Sequence, residues 1–496
     1  MLAQLSGSIR QRPLLCLGLM LYWIWINISF QSPLLYPLVR LNPSITAPSI
    51  VGPIIVSILA YFVLGMWLKR SNIFKRRGYI PLLAAIMGVG ILANMAWLEF
   101  TWPSSLFDAS VLSTQSGNSS IGKVALYILS SLCAGITTAC LCIEWGRIFG
   151  EHGPRQVLFH GIVAYLGAAL ISALISQFPP VVLIVVSLLL PAPLAICIMR
   201  SQREFPRNPF FSHGENAALK IPVKFLLTAL LHGLSLGILL GLFAVQGFEN
   251  NAIMLVSYAF AAILLLVTAI AVKMDFNHLI YQVGFSLVAL GSMLIAFSFP
   301  AFQLGSSLQL MGFCYLHLLM WGLCAYFTKN FALPATWVVA WPTCAFMLGE
   351  LVGIATSSLT DQMVGTEIAF MRMFLLLTFI ILIAALFLMS NHNYQTAWGL
   401  ARPGSSDLPE GDITTVVGLL STSYELSQRE TETLTLLIRG KSRKSIGQAL
   451  FISEETVKSH AHNIYRKLLV HSQQELIEFC ERQLEQISDN QPSVFE

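Results

Sequence analysis

Twelve stretches of about 20 mostly apolar residues follow one another between residues 14 and 390, and no other feature restricts the chain so tightly. A helix needs roughly 20 such residues to cross about 30 Å of hydrocarbon, where its backbone must satisfy itself. The windows lie near 14–38, 45–68, 79–101, 123–143, 156–177, 180–199, 222–246, 252–272, 279–299, 306–327, 334–356 and 368–390. Composition agrees: 55% of residues are hydrophobic and 11% charged, against about 25% charged in a soluble domain. So few charges cannot solvate the about three or four soluble domains that 496 residues would otherwise make. A cytosolic enzyme, a disordered scaffold and a secreted disulfide framework are therefore excluded. The first window is not read as a cleaved leader, because its run to Phe30 has no small-residue cleavage site and ends in Gln31-Ser32-Pro33.

Loop charge orients the spans. With a cytoplasmic N-terminus, 16 lysines and arginines from Arg10 to Lys329 fall in inside loops, against Arg40 and Lys123 outside. Basic residues near span ends concentrate on the cytoplasmic side. An even number of spans then returns the C-terminus to the cytoplasm. The longest inside loop, 200–221, divides the spans six and six, and Gly65-Met66-Trp67-Leu68-Lys69-Arg70 with Lys75-Arg76-Arg77 forms a basic loop between spans two and three. These features resemble the major facilitator superfamily, although Lys69 stands where that pattern has an acid and Asn72 where it has glycine.

Polar groups at membrane depth are costly and face cavities or partners. Glu350 in span eleven and Arg372 in span twelve sit at similar depth, which predicts that they lie near each other, as an ion pair or as ligand anchors. His232, His317 and Asn27 fall near the centres of spans seven, ten and one. Interhelical hydrogen bonding is the first expectation for all three and ligand contact the second. Glu99 and Glu144 are read as boundary residues reaching headgroups or water. The nine cysteines have no metal-ligand spacing, and no Walker loop, dinucleotide fingerprint, nucleophile elbow or zinc signature occurs. The reading is of a non-enzyme with no cofactor and no metal.

From Asn391 the chain changes character. Residues 391–421 read as a flexible linker, since Pro, Gly, Ser and Asp between about 395 and 421 cannot support a packed core. About 27 such residues would span roughly 30 Å as a coil. Residues 422–496 read as a small soluble domain. Ser427-Gln428-Arg429-Glu430 is a capping box opening a helix through Leu434, Leu437 and Ile438 that Gly440 stops. A second short helix begins near Ser442 with Ile446, Gly447 and Leu450 on one face. Ser453 caps a third, Glu454 to Leu468, and Ser472-Gln473-Gln474-Glu475 opens a fourth. Two short helices meeting at a small glycine make a helix-turn-helix.

The string Leu426-Ser427-x-Arg429-Glu430, Gly440-Lys441-Ser442, Ile452-Ser453-x-x-Thr456-Val457-Lys458-x-His460 and Asn463-Ile464-Tyr465-x-Lys467-Leu468 resembles the LuxR-type (NarL/FixJ) helix-turn-helix domain over about 60 residues. Leu469 replaces that family's usual glycine, and Ser445 and Gly447 its usual glutamate and alanine. The resemblance implies that the third helix enters a DNA major groove. Lys458, Ser459 and His462 would meet base edges, and Arg443, Lys444, Thr456, Asn463 and Lys467 the phosphates, with Arg466 on the same exposed side. It also implies a homodimer paired through Leu476, Phe479, Cys480 and Leu484 of helix four. Nine basic and nine acidic side chains in residues 422–487 make the domain nearly neutral, so non-specific DNA affinity should be modest.

The fold expected is all-α: a twelve-span bundle over residues 1–390 joined to a four-helix DNA-binding domain. The function expected is that of a bacterial inner-membrane one-component regulator, both termini cytoplasmic, whose membrane part senses a small molecule and controls promoter binding. A second reading is a transporter whose C-terminal domain regulates transport or docks a partner.

Overall fold

Helices that are apolar all round have no polar face to give to water, so they must bury themselves in one another or in lipid. The computed structural model describes residues 7, 9–10, 12–26, 43–67, 79–101, 120–150, 154–175, 178, 180–204, 221–246, 251–272, 274–297, 302–331, 335–363, 367–389, 410–438, 443–473, 475–477, 479–480 and 483. Every regular element among them is helical.

The first group comprises α1 (Pro13–Ile26), α2 (Pro43–Trp67), α3 (Tyr79–Thr101), α4 (Ser120–Gly150), α5 (Pro154–Ile175), α6 (Pro180–Leu189) and α7 (Pro191–Glu204). Pro191 lacks an N–H, so α6 and α7 meet at a break inside one expected span. The second group comprises α8 (Val223–Gln246), α9 (Asn251–Leu265), α10 (Phe285–Phe297), α11 (Phe302–Phe331), α12 (Ala335–Met363) and α13 (Glu367–Leu388). A π-helical turn, Leu266–Ala271, extends α9, and another, His278–Gly284, leads into α10. Among the described residues nine helices are long and apolar enough to cross a membrane. Three shorter apolar helices, Pro13–Ile26, Val51–Met66 and Val256–Ala271, fall in the remaining windows. Part of the first window, residues 27–38, lies outside the described residues.

Within the first group α1 packs on α5 and α7, and α4 on α2 and α3; within the second, α8 packs on α12 and α11 on α9 and α10. The groups meet where α2 touches α12 and α5 touches α9. One continuous apolar core runs through both. Outside it, Leu59, Phe62, Val63 and Met66 of α2 and Leu376, Phe379, Leu386 and Phe387 of α13 are exposed. An apolar exterior on that scale would aggregate in water and is what lipid requires, so the chain is a multi-pass membrane protein.

The closest packing is between α8 and α12. Gly233, Gly237 and Gly241 recur every fourth residue and face Gly349, Gly353 and Ser357, which do the same. A Cβ on Gly237 would stand 2.0 Å from the Glu350 carbonyl oxygen, and one on Gly349 equally close to that of Leu230. Ser357 donates across the contact to the Ile238 carbonyl at 2.9 Å. Small residues let membrane helices gain close backbone contact, which replaces the hydrophobic drive that lipid removes.

A second core belongs to the C-terminal unit: α14 (Glu410–Ser423), α15 (Gln428–Ile438), α16 (Arg443–Leu450) and α17 (Glu454–Leu468). Helix α14 corrects the expectation of a flexible linker over 391–421, whose last part, from Glu410, is helical. Ile413, Val416, Val417 and Leu420 repeat at helical spacing and are buried against Leu434, Leu437 and Ile464. Pro409, Gly411 and Asp412 mask that stripe in a reading by composition. Helix α16 also lies against α11 of the membrane bundle.

Candidate functional sites: a helix-turn-helix face and a membrane recess

The helix-turn-helix is built from local signals. The Ser427 hydroxyl accepts from Glu430 N–H at 3.3 Å, and the Glu430 carboxylate accepts from Ser427 N–H at 2.9 Å, the reciprocal capping box that the sequence predicts. Ser453 caps α17 by accepting from Thr456 N–H at 3.1 Å. A Cβ on Gly447 would come within 2.8 Å of the Ile452 carbonyl oxygen, so the turn from α16 to α17 needs its smallness. Val457, Ala461, Ile464 and Leu468 hold α17 to the core. Its other side presents Lys458, Ser459, His462 and Arg466, all exposed, with Asn463 half-buried beside them.

Several predicted contacts have local partners. Lys458 pairs loosely with Glu455 at 3.5 Å, and the Ser459 hydroxyl donates to the Glu455 carbonyl at 3.1 Å. The Thr456 and Ser453 hydroxyls are 2.7 Å apart. Arg443 is exposed; the Lys444 side chain lies outside the described residues. Lys467 departs from its expected role. Its ammonium donates to Glu430 at 2.9 Å and to the Glu425 carbonyl at 2.9 Å, closing the domain on itself rather than standing free for phosphate. Burial pushes the Glu430 carboxyl up, but Lys467 and the two Ser427 hydrogen bonds outweigh it and hold the acid below its ordinary range. Burial pushes the Tyr465 phenol up to about 12 against the opposing charge of Arg443.

The expected dimer stripe is largely spent inside one chain. Leu476 and Cys480 are both 0% exposed, packed in the core that α14 completes. Phe479 is half-buried with its ring 6.3 Å from that of Tyr424, and Leu484 lies outside the described residues. A core that must also cover α14 has more apolar positions to fill than four helices alone would offer.

In the membrane bundle, a recess opens between α4, α8, α11 and α12. Its walls include Phe149, His232, His317, Trp321, Pro342 and Phe346. Pro342 interrupts α12, leaving the Val338 carbonyl without its helical N–H; Cys324 Sγ lies 3.5 Å from that oxygen as donor. The two mid-span histidines do come together, their ring centroids 5.9 Å apart. The His232 ring stacks on Phe313 at 4.8 Å and is 1% exposed, yet neither of its nitrogens has a hydrogen-bond partner. The interhelical bond expected of it is not made. Asn27 lies outside the described residues.

Glu350 and Arg372 are not brought together. Glu350 is buried against α8, Arg372 is on the exposed side of α13, and no ion pair joins them. Similar depth in consecutive spans did not imply contact, because α12 gives its close face to α8. Glu144 is likewise no boundary residue. It is 1% exposed, accepts from the Tyr79 phenol and from Gln202 at 2.5 Å, and pairs with Arg147, tying α3, α4 and α7 together. The Glu99 side chain lies outside the described residues. Among the described residues no group of three or more His, Cys, Asp and Glu is placed to hold a metal ion.

Residues 424–480 match the model of the family described as bacterial regulatory proteins, luxR family. Over 47 residues the chain is 53% identical to an uncharacterised transcriptional regulatory protein, YhcZ, of Bacillus subtilis, covering 10% of this chain and 22% of that one. It is 46% identical over 67 residues to the response regulator protein TodT of Pseudomonas putida, covering 13% and 30%. The chain thus spans under a third of the length of either relative. The helical bundle is similar to the solved major facilitator superfamily proton:xylose symporter XylE bound to 6-bromo-6-deoxy-D-glucose, with TM-score 0.49, 14% identity, and coverage of 78% of this chain and 95% of that one.

Proposed function

From a luxR-family domain joined in one chain to a membrane bundle, we propose a one-component transcription regulator embedded in the bacterial cytoplasmic membrane, with both termini inside. The bundle binds a small molecule, and that binding controls promoter recognition by the C-terminal unit. The observation that carries this reading is the covalent union of a helix-turn-helix, its α17 face exposed, with a bundle whose internal recess holds a buried histidine lacking hydrogen-bond partners. Helix α11 supplies a route between them: it lines the recess with His317 and Trp321 and also lies against α16. A ligand that favoured one arrangement of α11 by about 1–3 kcal/mol would change the DNA-competent population several-fold or more.

In this reading Lys458, Ser459 and His462 meet base edges, while Arg443, Asn463 and Arg466 hold phosphates. Pairing on an inverted repeat would use Phe479 and surface around it, since Leu476 and Cys480 are committed to the subunit core. The recess also suits a carrier whose C-terminal unit regulates it; saturable ligand accumulation in proteoliposomes would favour that second reading.

The test uses the full chain in nanodiscs, mixed with sheared genomic DNA of its host. A small set of fragments should be retained, and Lys458→Ala/Asn463→Ala should release them. Retention that is absent, or indifferent to the double substitution, contradicts the proposal.

A further inference from the structure

The chemistry of the recess narrows what it can hold. Its twelve lining residues include no Asp, Glu, Lys or Arg. Its polar groups are the rings of His232, His317 and Trp321, the Cys324 thiol and the Thr343 hydroxyl, which already donates to the Val339 carbonyl at 2.7 Å. Flat walls dominate. Phe313 and Phe346 flank His232, with centroids at 4.8 and 5.2 Å, and Trp321 packs edge-on to Phe149 at 6.3 Å. Within this apolar setting His232 is 1% exposed and leaves both ring nitrogens unmet. A buried polar group without a partner is a standing cost that a suitable guest removes.

We propose that the recess binds an uncharged, planar aromatic molecule carrying a hydrogen-bonding group, which docks against Trp321 and Phe346 and bonds to His232. This deepens the sensor reading and rests on it for the recess being the input site. A charged guest would be stripped of water with no counter-charge on the walls. A sugar would bring more hydroxyls than the recess can pair, each left dry. A neutral aromatic gains burial along its faces and satisfies the imidazole with one polar atom.

Binding is read by thermal shift and titration calorimetry on the full chain in nanodiscs. Empty nanodiscs correct for partition into lipid. The probes are indole and benzamide as neutral aromatics, benzoate and tryptamine as charged counterparts, and xylose as a polyol. Tryptamine also asks whether Glu350, one turn beyond Phe346, supplies a counter-charge. The expected result is saturable binding of indole or benzamide, weakened at least tenfold in His232→Phe and partly recovered in His232→Gln. The ligand-free melting temperatures of both variants show whether the bundle still folds; if His232→Phe unfolds, the His232→Gln titration decides alone, weakened affinity supporting the assignment and unchanged affinity overturning it. Tighter binding of benzoate, tryptamine or xylose than of either neutral aromatic overturns the proposal, as does neutral binding indifferent to His232 or no binding of indole and benzamide up to their solubility. Promoter retention measured in the same samples separates the two readings. Indole or benzamide binding that leaves DNA retention unchanged keeps the assignment and removes the sensor role, whereas a DNA response to benzoate or xylose alone does the reverse.

Discussion

Lys467 and Glu430 show how one contact decides what a basic residue is for. The pair joins α17 to α15 across 37 positions of sequence. Removing Lys467 leaves a buried carboxylate short of its partner, so Lys467→Met should destabilise the C-terminal unit by about 1–2 kcal/mol near neutral pH. Glu430 is held below its ordinary range in the folded state. The stability it contributes is therefore full above the unfolded carboxylate range and is lost as pH falls through the folded value. Glu430→Gln should flatten the acid limb of a stability-against-pH curve for residues 410–496, and an unchanged limb would refute the assignment. Leu469 closes α17 in the left-handed region, φ 54°, and is 84% exposed. That conformation costs a non-glycine residue about 1–2 kcal/mol, so Leu469→Gly should raise the melting temperature of the unit by about 4–16 °C. At this scale the caps were legible in the sequence, because a capping box is a pattern of three consecutive steps. The commitment of Lys467 was not, because its partners lie on other elements.

Among the elements, α8 and α12 carry the sharpest prediction. Gly237→Ala must push a methyl into the Glu350 carbonyl, whereas a Cβ on Gly88 meets nothing within 4 Å. In detergent or nanodiscs Gly237→Ala should lower the thermal midpoint by many degrees and Gly88→Ala should leave it unmoved; equal effects would disprove the close approach. The glycine spacing in span seven is visible in the sequence, but polarity at similar depth is the stronger signal there, and it points to a Glu350–Arg372 pairing that the structure does not make. Helix α14 was hidden for a related reason: Pro, Gly and Asp at its start signal a linker, while the stripe from Ile413 to Leu420 becomes meaningful only with a core to cover it. Helix α17, by contrast, was read with its observed bounds, since Ser453, its apolar period and its basic last turn all agree. Its exposed face makes a quantitative claim. Arg466→Ala should lower the slope of log affinity against log salt by about 1, whereas Lys458→Ala should relax sequence preference instead, with fluorescence anisotropy on a retained fragment as the assay.

For the whole molecule, an apolar helical bundle and a LuxR-type domain share one chain, and the proposal is that the first governs the second. Both units were legible from composition and motif, because a membrane and a DNA-binding fold impose strong patterns on sequence. The recess was only half legible. His232 and His317 stood out as polar groups in apolar runs, but Phe313 and Phe346 were indistinguishable from lipid-facing aromatics until the packing of α8, α11 and α12 put them around the His232 imidazole, and Trp321 until it lined the same recess. The most direct test of the central claim is chromatin immunoprecipitation of the full-length protein in its host, beside the Lys458→Ala/Asn463→Ala variant. The account predicts one or a few sharp promoter peaks that the variant loses while its membrane level stays the same. A flat profile for the unaltered protein, under growth conditions with and without neutral aromatic compounds, would contradict it.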